Sequence, residues 1–69
     1  MPYKVIAKLD EKKYKSCKGM DPDLWPLLKD DVYTLSTWNS LRMAEWSANN
    51  HRNYEYSNLD TNTVEIIEI

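Results

Sequence analysis

Residues 36–50 read Ser36-Thr37-Trp38-Asn39-Ser40-Leu41-Arg42-Met43-Ala44-Glu45-Trp46-Ser47-Ala48-Asn49-Asn50, and from Trp38 onward the stretch holds neither glycine nor proline. Trp38, Leu41, Ala44 and Ala48 recur at the spacing that aligns side chains along one helical face. Ser36 or Thr37 can supply an N-cap oxygen, so the pattern predicts one main helix over about residues 37–50. The stripe is imperfect: Glu45 falls between Trp38 and Leu41 in angle, while Met43 and Trp46 fall well outside it. Those two side chains are expected to face solvent or a partner. Asn49-Asn50-His51-Arg52-Asn53 should end the helix, because asparagine tolerates the left-handed conformation and His51 and Arg52 suit the negative end of the helix dipole.

Working outward, Tyr3, Val5, Ala7 and Leu9 alternate with Lys4, Lys8 and Asp10, the pattern of a half-buried strand. The polar Asp10-Glu11-Lys12-Lys13 and the renewed alternation of Tyr14-Lys15-Ser16-Cys17-Lys18 predict a basic β-hairpin ending at Gly19, the single glycine. Asp21-Pro22-Asp23-Leu24-Trp25-Pro26-Leu27-Leu28 fits a helical turn or two capped by Asp23, with Pro26 in the first turn, and fits an extended segment equally well. In either case Trp25, Leu27 and Leu28 are expected to anchor it to the core. Val32-Tyr33-Thr34-Leu35, Tyr54-Glu55-Tyr56 and Thr63-Val64-Glu65-Ile66-Ile67-Glu68-Ile69 read as strands, the last two around a turn at residues 58–62. Both faces of the last strand carry aliphatic residues, which predicts a central or doubly covered position. The expected fold class is α+β, with about four or five short antiparallel strands packed on the one main helix.

Composition bounds the function. The chain has 69 residues, 42% hydrophobic and 29% charged, with a net charge of −2. That is one domain over residues 1–69, apolar enough to fold and too small to enclose a large cofactor. No apolar run is long enough to span a bilayer, and no secretory-type apolar segment follows the N-terminus. The single cysteine, Cys17, cannot make an internal disulfide. A cytoplasmic location, with no membrane partner, is the expectation. Seven lysines, six asparagines, five tyrosines and four isoleucines against one glycine and three alanines suggest an AT-rich genome, such as that of a low-GC bacterium or its phage.

The raw materials of catalysis are scarce. Cys17 and His51 are the only thiol and imidazole and do not stand at a zinc-binding spacing. One glycine cannot build a phosphate-cradling loop. Asp21, Asp23, Asp30 and Asp31 read as solvated loop carboxylates. No catalytic, cofactor-binding or metal-binding residue is therefore assigned, no cofactor is expected, and the chain is read as a non-enzyme.

Charge and aromatic residues remain. Residues 1–20 carry +4, from six lysines against Asp10 and Glu11, whereas residues 21–69 carry −6, from three basic residues against nine acids. The lysines Lys4, Lys8, Lys12, Lys13, Lys15 and Lys18, with Tyr14 as a stacking ring, make one reading a nucleic-acid-binding hairpin. The acidic balance and the scarcity of arginine place that reading second. Three tryptophans, five tyrosines and no phenylalanine mean that every aromatic ring carries a polar handle, as at interaction hot spots. Met43, Glu45, Trp46, Tyr54, Glu55 and Tyr56 form the expected protein-binding surface, acidic and aromatic, suited to a partner with a basic surface. Self-association into a homodimer is a further expectation, since a small domain gains core by pairing.

The order strand, strand, helix, strand, with Ala44-Glu45-Trp46 late in the helix, resembles the small phage-encoded early proteins of host takeover, the family of the phage T7 inhibitor of host RNA polymerase. The resemblance covers roughly residues 32–69 and places no partner-contacting residue. It implies the class alone: a small phage or mobile-element protein that inhibits or modulates a host protein by occupying its surface.

Overall fold

In a computed structural model, which describes residues 2–69, the alternating N-terminal stretch forms strand β1 (Tyr3–Leu9), as its pattern requires. It turns Val5, Ala7 and Leu9 inward, all at most 8% exposed. β1 is followed by helix α1 (Glu11–Ser16), a 3-10 turn (Pro22–Leu24), helix α2 (Trp25–Leu28), strand β2 (Val32–Trp38), helix α3 (Leu41–Arg52) and strand β3 (Leu59–Glu68). The architecture is α+β, with one three-stranded sheet in the order β2-β1-β3 and both pairings antiparallel. Three strands replace the four or five expected.

The expected hairpin is overturned first. Residues 11–16 are helical because Asp10, in extended backbone, accepts a hydrogen bond from the Lys13 amide at 2.9 Å and so caps the helix. Glu11 sits in the first turn, and the Lys15 ammonium lies 2.8 Å from its carboxylate one turn on. The alternation in Tyr14–Lys18 cannot pair with the strand it follows, since β1 is already paired on both sides.

The main helix begins four residues later than expected and ends two later. Ser36 and Thr37 lie within β2 rather than at a cap, and Trp38 closes that strand opposite Tyr3. Ser40 is the N-cap, in extended backbone and without a side-chain bond. The β-branched and aromatic residues of Val32–Trp38 gain a full ladder with β1, which outweighs extension of the helix at its N-terminal end.

Tyr54-Glu55-Tyr56 is a loop, not a strand. β3 starts inside the expected turn, at Leu59, and runs to Glu68 as an edge strand. Its two aliphatic faces have separate causes. Val64 is buried and Ile66 half-buried against α3, whereas Ile67 is exposed beside Lys4 on the opposite face. In the segment before β2, Asp21 rather than Asp23 provides the cap, by accepting from the Asp23 amide. Pro26 lies in the first turn of α2 as expected. Trp25 and Leu28 pack inward, but Leu27 is 75% exposed and anchors nothing.

The core has two parts. Val5, Ala7, Ala44, Ala48 and Val64 form the first, flanked by Tyr3, Trp38 and Ile66, and the two alanines let α3 lie close on the sheet. Leu9, Tyr14 and Leu59 form the second, flanked by Trp25, Leu28 and Tyr56. Leu35 packs against both. It can do so because the β1–β2 register shifts there: Val5 faces Ser36 and Ile6 faces Thr34, leaving Leu35 as the extra residue of a bulge. The sheet's other face carries Lys4, Ile6 and Lys8, with Thr34, Glu65 and Ile67 among their cross-strand neighbours.

Candidate functional site

α3 positions the proposed aromatic surface. Its inward face is Ala44, Ser47 and Ala48, all buried. With about 100° of rotation per residue, Met43 and Trp46 fall on one flank, and Glu45 on the flank that carries Arg52. The contacts fix which flank is which. Ser47 meets Ser36 of β2 at 2.8 Å, and the rings of Trp46 and Trp38 meet edge to face at 6.3 Å. The Arg52 guanidinium instead donates to the Val64 carbonyl of β3 at 3.0 Å. Met43 and Trp46 therefore border β2, and Glu45 projects toward the β3 side.

Trp46 is 58% exposed and Met43 42%. Trp46 is nevertheless held in place, because its partner Trp38 donates its indole N–H to the Ser36 hydroxyl at 2.8 Å. A ring displayed to solvent on a fixed support loses little freedom when a partner covers it.

Tyr54, Glu55 and Tyr56 follow α3 and form a separate group, since eight residues of helix and cap set Tyr54 about 12 Å along the axis from Trp46. Tyr54 and Tyr56 rings lie 4.7 Å apart, and Tyr56 stacks on His51 while its hydroxyl bonds the His51 Nδ1. Burial pushes the Tyr56 hydroxyl above its ordinary pKa, and the neighbouring Tyr54 adds to this. Tyr56 is half-buried against Leu9 and Leu59, whereas Tyr54 and Glu55 are exposed. The six expected residues thus divide into Met43 and Trp46 beside β2, Glu45 on the opposite flank, and the Tyr54-Glu55-Tyr56 loop at the helix end.

The lysines do not make one stripe. Lys4 and Lys8 stand on the open sheet face, while Lys12, Lys13 and Lys15 belong to α1 and Lys18 follows it. Lys13 donates to the Leu59 carbonyl at 3.3 Å and Lys15 pairs with Glu11. Tyr14 is 2% exposed and its hydroxyl donates to the Asp21 carbonyl at 2.7 Å, so it shows no face on which a base could stack. Cys17 donates to the Ser57 carbonyl at 3.4 Å and His51 is engaged with Tyr56, so the thiol and the imidazole do not meet. Among the described residues no three His, Cys, Asp or Glu side chains converge, and no helix is long and apolar enough to cross a membrane.

One feature was not anticipated from the sequence. A cleft of about 400 Å³ opens between β1, the α1–α2 connection and β2, with Leu9, Tyr14, Met20, Leu24, Leu28 and Tyr33 as its apolar lining and Asp21 and Asn58 as polar members. The available signal was an excess of aliphatic residues between Gly19 and Leu28, more than two short turns can bury. Comparisons with protein-family models, curated proteins and solved structures find no match.

Proposed function

We propose that this chain is a non-enzymatic protein-binding module that acts by covering part of another protein's surface, with Met43 and Trp46 as anchors and the Tyr54-Glu55-Tyr56 loop as an outlying contact. The observation that carries the reading is Trp46, more than half exposed and braced edge-on against Trp38. A large ring fixed in a solvent-exposed position is the kind of residue that dominates binding energy at interfaces. The partner presents a basic surface, because residues 21–69, which carry both aromatic groups, hold nine acids against three basic residues. A small phage-encoded modulator of a host protein would work in this way.

The test is capture of bacterial proteins on the immobilised chain, beside a Trp46→Ala/Met43→Ala variant that circular dichroism shows to be folded at the capture temperature. A specific captured protein that is lost with the folded variant supports the reading. Equal capture by both overturns the site. Nucleic-acid binding stands second, since Tyr14 is enclosed and the lysines are dispersed. Salt-dependent retardation of a single-stranded oligonucleotide at about 50 mM salt, lost on Lys12/Lys15/Lys18 replacement, would raise it.

A further inference from the structure

The cleft beside α2 has properties that the aromatic surface does not share. Its volume of about 400 Å³ lies in the range of small-molecule sites. Three of its lining side chains, Met20, Leu24 and Tyr33, are 41%, 44% and 38% exposed, so apolar surface is left uncovered at its mouth. Its wall is held in place. The Tyr14 hydroxyl ties the Asp21 carbonyl at 2.7 Å, and the Asp21 carboxylate accepts from the Asp23 amide at 2.9 Å, which fixes the turn that carries Met20 and Leu24.

The charge at this site is of one sign. Among the described residues lining the cleft, Asp21 is the only charged one, and no lysine or arginine joins it. Asp23, Asp30 and Asp31 stand in the flanking segment, with Lys18 and Lys29 as its only cations between residues 18 and 33. An apolar floor with Asp21 in its lining, a residue with no ion-pair partner among the described residues, favours a ligand with an apolar body and a cationic head. An anion of the same shape would meet both the Asp21 charge and the acidic segment around it.

We propose that this cleft is a binding site for a small apolar amine, an aryl-alkylammonium compound of one or two rings. Its hydrophobic body lies between Met20, Leu24, Leu28 and Tyr33, and its ammonium group is directed to the Asp21 carboxylate. The site is independent of the Met43–Trp46 surface and uses none of its residues.

Two probes of matched shape and opposite charge test it, 4-phenylbutylamine and 4-phenylbutyrate, each titrated into the full chain while the methyl signals of Met20, Leu24 and Leu28 are followed by NMR. The expected result is saturable shifts of those methyls, with the amine bound about fivefold more tightly than the acid, a preference that fades as salt is raised. Asp21→Asn keeps an oxygen for the Asp23 amide and should erase the preference while leaving binding of the apolar body. Leu24→Lys, at a half-exposed position, should abolish amine binding without unfolding the chain. No saturable shift at millimolar amine, equal affinity for the two probes, or shifts confined to Ile67 and Ile69 on the opposite sheet face would each overturn the proposal.

Discussion

Ser36 and Ser47 share a hydrogen bond of 2.8 Å between their hydroxyls across the β2–α3 contact, and the Trp38 indole N–H donates to the same Ser36 oxygen. Ser47 is the buried polar residue at the centre of the helix–sheet layer, 4% exposed. One serine on the bulged strand thus satisfies a buried hydroxyl and orients the tryptophan on which Trp46 rests. Burying those groups without partners would cost more than the bonds return in water.

Ser36→Ala should therefore be the more damaging of the two serine changes. It orphans both the Ser47 hydroxyl and the Trp38 N–H, at about 1–3 kcal/mol, whereas Ser47→Ala leaves the Trp38 bond in place and costs about 1 kcal/mol or less. Urea denaturation midpoints of the two variants give the order, and tryptophan emission should shift to the red only in Ser36→Ala.

The two tryptophans that meet edge to face should separate stability from binding. Trp38→Ala removes a ring packed on the first core cluster and costs about 2–4 kcal/mol, while Trp46→Ala loses an edge contact and costs about 1 kcal/mol. Thermal melts give the first ordering. Partner capture by the still-folded Trp46→Ala variant should be lost.

Close approach of α3 to the sheet rests on Ala44 and Ala48, both 0% exposed against Val5. Ala48→Leu adds volume with nowhere to go and should destabilise by about 1–3 kcal/mol. The exposed neighbour makes the control: Asn50→Ala should be neutral or slightly stabilising, since alanine is the better helix former. Chemical denaturation of the pair checks both.

The raised pKa of Tyr56 links stability to alkaline pH. The folded state favours the protonated phenol more than the unfolded chain does, so the contribution is complete below the unfolded value, about 10, and is lost as pH rises through the folded value. Melting temperature should fall more steeply for wild type than for Tyr56→Phe as pH is raised through and above 10, and the two curves should run parallel below about pH 9. Parallel curves across the whole range would remove Tyr56 as the cause.

Legibility in the sequence followed the range of the interaction involved. β1 was readable because a strand buried on one face must alternate, and Val5, Ala7 and Leu9 do. The exposure of Met43 and Trp46 was readable from their angles on the helix. The Asp10 cap was present in the sequence, but the alternation beyond it was equally visible, and only the double pairing of β1 decides between a helix and a second hairpin strand. Leu27 and Tyr14 were misplaced because a short apolar segment carries no signal of which side chain a tertiary neighbour will cover.

The sequence by itself determined the class: one small α+β domain with a Gly- and Pro-free helix, a polar-handled aromatic set, and no glycine-rich loop or zinc-spaced ligand set. These follow from composition and from periodicities that act within a few residues. Tertiary structure decided the strand count, the central place of β1, the bulge at Leu35, the division of the aromatic surface in two and the cleft beside α2. Each of those depends on which distant segments meet, and that is set by the shared burial of residues such as Leu9 and Leu59, far apart along the chain and joined only when it closes.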